Sequence, residues 1–453
     1  MKLMDIYPKN EKYYPNVIKQ INGEFYLYNL ITNGIFKINK EVSNIIHYNK
    51  NINIEKDKDI KTFLENNYIL RNKKNDDKLN SIYDKKLNSK FKFEPSGLTL
   101  MVSQECNLRC KYCYGEGGEY NNKGKMTFEI AKKAIDYFVK VSKVDKVGIC
   151  FFGGEPLTNF VLIKEIIDYT KSIENYINKK FHFSITTNGT LLTNKIKKFL
   201  LDNNIFITIS LDGTKEVTDS NRYYISKKGV YDVIKSNINK LDKKVVVRAT
   251  IAPPNYDMKK SINHLVKDLK LNSVAWAVAD NLLTEEDFYK ISESYNKLLD
   301  ELWNTIKLKK YNEVKKYSMF MNNLRKFSKD GIRIKGCGAA NNMIAIDING
   351  DVYPCHRFVG LKRYVLTNVD SNTKFNEKIF SKMDLKNFDK CKYCIARNIC
   401  GGACINENVY ANLSINKPSE KHCNFTKKMV EKLFEIYISL TEEDKLNLFG
   451  DLK

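Results

Sequence analysis

Eleven cysteines stand at positions 106, 110, 113, 150, 337, 355, 391, 394, 400, 404 and 423. Ten fall into two groups more than two hundred residues apart. No apolar stretch marks Met1 to Glu11 as a secretion signal, so a cytoplasmic location is expected. In that setting clustered cysteines point to metal or redox chemistry rather than disulfides. The first group, Cys106-Asn-Leu-Arg-Cys110-Lys-Tyr-Cys113, places three thiols within eight residues. A tetrahedral zinc site needs a fourth ligand nearby, yet no His or Cys follows within thirty residues. A [4Fe–4S] cube held by three thiolates keeps one iron free for a substrate or cofactor. The second group is Cys337, Cys355, Cys391-x2-Cys394-x5-Cys400-x3-Cys404 and Cys423. Its Cys391–Cys394 pair alone would suit a zinc ribbon.

The elements that must position these thiols are readable as a run of alternating strands and helices. Candidate strands are 98–103, 147–152, 181–186, 206–211, 245–251 and 273–279. Amphipathic stretches at 128–141, 162–176, 194–203, 230–241 and 259–269 lie between them. Such repeats predict parallel strands with right-handed crossovers, and six are too few to close an eight-fold barrel. The first cysteine group follows the first strand, at the end where β/α barrels keep their chemistry. A helix over 285–304 closes this unit. Residues 1–75 read as a small α+β module with a hairpin turn at Asn33-Gly34. The polar stretch 71–92 reads as a mobile linker. Cys150 sits in an apolar strand and reads as a small core residue.

These motifs resemble the radical S-adenosylmethionine (SAM) family. Phe152-Gly-Gly-Glu-Pro156 resembles its GGEP motif, which implies that Gly153, Gly154 and Glu155 hold the methionine amino group. Thr186-Thr-Asn-Gly189 resembles the ribose-contacting loop, through Thr187 and Asn188. Ser210-Leu-Asp-Gly213 resembles the next ligand loop, through Ser210. Asp219 and Arg222 match a downstream D-x-x-R, and Arg222 would pair with the methionine carboxylate. Tyr112 holds the aromatic position near adenine. The resemblance makes Cys106, Cys110 and Cys113 the ligands of the catalytic cluster.

The second cysteine group resembles the SPASM pattern. By that resemblance Cys391, Cys394, Cys400 and Cys423 hold a distal auxiliary [4Fe–4S] cluster, and Cys337, Cys355 and Cys404 a proximal one, for three clusters in all. Some relatives carry a further Cys a few residues after the first; here 338–343 contain none. That departure leaves a proximal iron open to an outside donor, such as a substrate thiolate. His356 follows Cys355 at a position where some relatives keep a proton acceptor; orienting the cluster by hydrogen bonding is the plainer reading.

Residues 1–75 resemble the PqqD-like winged-helix element that captures leader peptides by strand addition. The expected architecture is an α/β chain built on a partial (β/α)6 TIM-like barrel. Its parts are the winged-helix-like module (1–75), a linker (76–94), the radical SAM core (95–305), a helical connection (306–330), an iron–sulfur-stapled SPASM domain (331–425) and a C-terminal helix (426–453). The resemblance implies a ribosomal peptide maturase that forms thioether crosslinks of the sactipeptide or ranthipeptide type, fed electrons by a flavodoxin or ferredoxin. Carbon–carbon crosslinking, formylglycine formation and a non-catalytic iron–sulfur redox or binding protein are the alternatives.

Composition sets the outer bounds. The chain has 453 residues, 43% hydrophobic and 28% charged, which excludes wholesale disorder. Its longest apolar runs are too short to cross a bilayer. Net charge is +23, but the lysines are spread along the chain without an arginine-rich block, so nucleic acid is an unlikely partner. Positions 1–95 carry 18 basic and 12 acidic residues, which favours an acidic leader.

Overall fold

A computed structural model describes residues 2–8, 11–48, 57–90, 93–238, 241, 245–370 and 382–450. The ends of two segments read from sequence, 91–92 and 239–240, lie outside the described residues.

The N-terminal module is a three-stranded antiparallel sheet, β1 (Asn16–Ile21), β2 (Glu24–Asn29) and β3 (Ile35–Ile38), followed by helices α1 (Lys40–His47) and α2 (Lys58–Asn66). Its tight turn is Asn22-Gly23, both with positive φ, because Ile21 pairs directly with Glu24. Asn33-Gly34, expected to be that turn, belongs to a longer loop in which Asn33 alone has positive φ. Its side chain donates to the Lys326 and Lys329 carbonyls at 2.9 and 2.7 Å, so the loop docks on the rest of the molecule.

The described part of the expected mobile linker, residues 71–90, is not one. It contains helix α3 (Lys73–Lys90). Its sequence is strongly polar, but Asn75, Leu79 and Tyr83 repeat every fourth residue and are buried. Tyr83 donates to Asp384, and Tyr14 donates to Asp76 at 2.8 Å. A narrow apolar stripe is enough here because tertiary partners supply the rest of the helix's stability.

The core sheet runs through β4 (Gly97–Gln104), β5 (Lys146–Gly153), β6 (Lys180–Thr187), β7 (Phe206–Ser210), β8 (Val245–Ile251) and β9 (Val274–Val278), all parallel neighbours in sequence order. Between them lie α4 (Phe128–Val141), α5 (Phe160–Ile177), α6 (Asn194–Asp202), α7 (Tyr231–Ile238) and α8 (Met258–Asn263). Strand alternation sorts the two faces. Ile149, Phe151, Ile185, Ile207, Ile209, Val247 and Ala249 are buried under the helices. The other face carries Cys150, Ser184, Thr186, Thr208, Ser210, Arg248 and Thr250, a lining polar enough to receive a ligand. Side-chain oxygens cap the helix starts: Thr127 and Thr193 each accept from the backbone N–H three residues on.

The C-terminal region is continuous with this sheet rather than a separate body. Strand β10 (Met343–Ile346) pairs parallel with β4, and β11 (Asp351–Tyr353) and β12 (Thr367–Asn368) follow antiparallel. The strand order β9-β8-β7-β6-β5-β4-β10-β11-β12 is an open path. Helices α9 (Glu285–Lys307) and α10 (Ser318–Phe327) lead into this region. The chain ends in α11 (Glu420–Ser439) and α12 (Glu442–Phe449), so the boundary expected at 425/426 cuts through a helix. Tyr28 of the N-terminal module stacks on Phe434 of α11 at 5.4 Å, and one hydrophobic cluster spans all three regions. Among the described residues no helix is long and apolar enough to cross a membrane.

Candidate active site

The first cysteine loop begins where β4 ends. Close packing of backbone on backbone shapes it. A Cβ on Gly153 would stand 1.9 Å from the Ser103 carbonyl oxygen, and one on Gly154 would stand 2.4 Å from that of Glu105. The amides of Gly154 and Glu155 donate to those two carbonyls at 2.8 Å. The two glycines thus let the end of β5 lie against the turn that carries Cys106. Residues Leu108–Cys110 then pair antiparallel with Arg222–Tyr224, which sets Arg222 opposite Cys110. Arg109 closes the loop from the other side, donating to the Cys106 and Leu108 carbonyls at 2.9 Å.

Each of the first two thiols receives a polar neighbour. Asn188 Nδ2 lies 3.9 Å and the Leu108 amide 3.4 Å from Cys106 Sγ, and an Arg222 guanidinium nitrogen 3.8 Å from Cys110 Sγ. Burial pushes Cys106 up to about 12 and Cys110 up to about 11; Cys113 adds to both. Buried thiols that raise one another in this way become thiolates only with a cation among them, as metal ligands do. Donors aimed at sulfur are also what tunes an iron–sulfur cluster. Among the described residues no three Cys, His, Asp or Glu side chains converge on a point suited to one metal ion. The residues present therefore fit a cluster, with Cys106, Cys110 and Cys113 as its holders.

The loops after the next strands meet this one. Glu155 is fully buried, and its carboxylate accepts from Thr187 Oγ1 and the Asn188 amide at 2.7 Å and from the Leu157 amide at 3.1 Å. Burial outweighs these donors and pushes it up to about 7. The sequence expectation gave this carboxylate to a ligand ammonium; in the structure it braces the Thr187–Asn188 loop. Asn188 in turn bonds Asn107 at 2.9 Å and accepts from Thr190.

Arg222, expected to meet a ligand carboxylate, is held by Asp212, Nε to Oδ2 at 2.9 Å, with both side chains buried. It also lies 5.1 Å from the centre of the Tyr112 ring, and Tyr112 donates to the same Asp212. Asp212 is the functional residue that sequence reasoning missed, although it stands inside the Ser210–Gly213 motif. Its other oxygen accepts from the Thr250 amide at 2.9 Å. Asp219 serves elsewhere: it accepts from the Val230 and Tyr231 amides and caps α7. Ser210 sits on the inner face, in register with Arg248. Cys150 shares that face with Thr99 and Ser184 rather than the apolar one.

The second cysteine group separates into two sets. Burial and then Cys404 raise Cys355, to about 12, and the Cys337 thiol adds to it; Cys337 is raised by burial and by Cys404 as well. Burial and then Cys400 and Cys394 raise Cys391, to about 12, and burial followed by the same two thiols lifts Cys423 to about 11. Cys400 is the exception. Although burial raises it, a hydrogen bond from His422 and amides such as that of Ala403, at 3.1 Å, bring it down. His422 is steadied by Asp280 at 2.5 Å. His356 faces the first site, its ring 4.5 Å from Phe152 and 6.2 Å from Tyr114, and burial pushes it down to about 3. Arg357 lies over Tyr114 at 4.7 Å and pairs with Glu407.

A parallel sheet with a three-cysteine loop after its first strand, met by the loops after the next three, points to a family. Residues 100–265 match the Radical SAM superfamily. An uncharacterized protein of Methanocaldococcus jannaschii is 31% identical, covering 63% of this chain and 93% of that one. The chain belongs to the radical SAM superfamily, which implies a [4Fe–4S] cluster and SAM. It is also related to peptide- and protein-modifying members. The radical SAM cyclopropyl synthase TigE of Paramaledivibacter caminithermalis is 25% identical over 93% of this chain and 95% of its own. A cysteine-type anaerobic sulfatase-maturating enzyme of Clostridium novyi is 28% identical over 75% of this chain and 94% of its own. Among solved structures, native anSMEcpe with bound AdoMet and Cp18Cys peptide superposes with a TM-score of 0.62 at 20% identity, covering 76% of this chain and 98% of that one.

Proposed function

We propose that the protein is a radical SAM maturase of ribosomally made precursor peptides that joins a cysteine sulfur to a carbon. The observation that carries this reading is the company of a second, seven-cysteine group, whose Cys337 and Cys355 flank strands of the sheet that carries the catalytic loop. Cys337, Cys355 and Cys404 would hold one auxiliary cluster of a SPASM domain, and Cys391, Cys394, Cys400 and Cys423 another. When bound, the clusters supply the electron that cleaves SAM to a 5′-deoxyadenosyl radical and a sink for the electron released as the thioether closes. Three thiolates on the proximal cluster suit a substrate thiolate as fourth ligand.

The chain's own residues position and shield. Asn188 and Arg222 donate toward the ligand sulfurs, Glu155 braces the ligand loop, and the Asp212–Arg222–Tyr112 group fixes the mouth of the half-barrel. His356 stands on the inner side, where a proton acceptor would be placed. The three-stranded N-terminal sheet supports a PqqD-like role, since it offers edge strands to an acidic leader; a flavodoxin or ferredoxin would bring the electrons, in the cytoplasm.

A second reading, carbon–carbon bond formation, is favoured by the near full-length match to the cyclopropyl synthase. Formylglycine formation is favoured by the match to the sulfatase-maturating enzyme. Mass spectrometry of a matured precursor separates the three. A thioether loses two hydrogens and consumes a titratable thiol, a carbon–carbon bond loses two hydrogens with every thiol free, and formylglycine made from cysteine loses the sulfur.

A further inference from the structure

The inner face of the half-barrel carries one charge that the protein does not answer. Arg248 lies on β8, between Val247 and Ala249, whose side chains are buried under the helices. Alternation therefore turns its guanidinium to the inner face. Register sets Ser210 of β7 on one side of it and Ala275 of β9 on the other, with Thr250 and Ala277 in the next row. All four neighbours are small, so the long side chain stands with open space around its head. It is solvent-exposed, yet enclosed by enough protein that burial lowers its pKa.

The other arginines near this face have carboxylates. Arg222 has Asp212, Arg357 has Glu407, and Arg109 has Glu119 at 3.5 Å. Arg248 has no ion pair among the described residues. The titratable groups that face it are the Tyr114 phenol, the Arg357 guanidinium, the Cys404 thiol and the His356 imidazole, and Arg357 repels it. A guanidinium without a counter-charge, partly screened from water by the protein around it, carries some desolvation cost in the free protein. A planar anion that accepts two parallel N–H bonds would offset that cost and be oriented by it.

We propose that Arg248 is the base of a carboxylate-binding subsite on the inner face of the half-barrel, and that the carboxylate it takes belongs to the peptide substrate. This rests on the peptide-maturase reading above. Location favours substrate over cofactor. The loops that resemble SAM contacts gather around Cys110, Glu155, Asn188 and Arg222, whereas the charged neighbours of Arg248 include Arg357 and Cys404 of the second cysteine region. The subsite lies between the two cysteine groups, where a reacting peptide must sit. An acidic side chain or a free C-terminus next to the modified residue is the group it selects.

The test uses the anaerobically reconstituted full-length protein and phenylglyoxal, with labelled arginines located by peptide mass mapping. Two probes are compared, acetyl-Gly-Asp-Gly amide and acetyl-Gly-Asn-Gly amide, each with saturating SAM. We expect Arg248 to be labelled readily, the Asp peptide to slow its labelling several-fold, and the Asn peptide to leave it unchanged. Equilibrium dialysis of the Asp peptide should show about tenfold weaker binding to R248Q than to wild type. Protection by SAM alone would assign the subsite to the cofactor and overturn the proposal. Equal labelling with both peptides would show a merely solvated arginine and overturn it too. Release of 5′-deoxyadenosine by the same preparation, with dithionite and SAM, is read separately. Its failure would refute the maturase reading while the labelling still decides the subsite.

Discussion

The two cysteine regions are built by opposite means. Cys106, Cys110 and Cys113 lie within one short loop whose shape is imposed from outside, by the end of β5, the Arg222–Tyr224 strand and the Asn188 side chain. The second group gathers seven cysteines from several short elements: the turn before β10, the end of β11, the 389–404 segment and helix α11. Little regular structure joins these pieces, and the thiols themselves are what they share. The first region should therefore keep its shape without iron, whereas the second should owe part of its shape to the metal.

That contrast can be broken most directly by removing iron. Chelation of the reconstituted protein should increase amide exchange in 389–404 and at the start of α11 by orders of magnitude and leave 97–110 nearly unchanged. Hydrogen exchange with mass spectrometry checks this; equal deprotection of both regions would end the comparison. A smaller effect is expected on the side of the first loop. Asp212→Asn leaves Arg222 buried without its counter-charge and should cost about 3–5 kcal/mol of stability, read as a lowered unfolding midpoint, while the second cysteine region is unaffected.

A third prediction concerns pH. Burial raises the Glu155 pKa to about 7 in the folded chain, above its ordinary value of 4.5. A group raised on folding contributes most below its unfolded pKa and loses that contribution as pH climbs through the folded one. In the SAM-free protein, wild type should lose stability relative to E155Q between pH 4.5 and 7, and the difference should level off above that. A flat difference would mean that the carboxylate is not enclosed as described. The smallest effect belongs far from both regions. Asp444 closes a capping box at the start of α12, accepting from the amide and hydroxyl of the N-cap residue Thr441, and also accepts from Lys309 and Tyr311, so Asp444→Asn should cost about 1 kcal/mol and leave both cysteine regions untouched.

The parallel sheet and its helices were legible because their pattern is local. Parallel strands announce themselves as short apolar runs, and the helices as 3.6-period stripes; 128–141 matches its helix to the residue. The cysteine spacings and the glycine–glutamate turn were equally plain. What stayed hidden was tertiary. Helix α3 shows only Leu79, Ile82, Tyr83 and Leu87 as apolar positions in a polar sequence, and its burial is decided by Asp384 and by distant apolar partners such as Leu3, Tyr14 and Ile334. The choice between Asn22-Gly23 and Asn33-Gly34 as the tight turn depended on register, which two identical dipeptides do not reveal. Glu155 and Arg222 were found as residues, but their internal partners, Thr187 and Asn188 for one and Asp212 for the other, were not, because no spacing reveals a side chain's tertiary neighbours. Asp212 was passed over for the same reason: its meaning comes from Arg222 and Tyr112, ten and a hundred positions away.

The central claim is that the thiols at 106, 110 and 113 leave an iron to which SAM binds directly. Electron paramagnetic resonance of the dithionite-reduced protein, with the second cysteine group replaced by alanine so that one cluster remains, measures this with and without SAM. The account predicts a cluster signal whose g-values shift when SAM is added and which disappears in the Cys106→Ala, Cys110→Ala, Cys113→Ala variant. A reduced cluster whose spectrum ignores SAM, or a signal that survives those three substitutions, would contradict it.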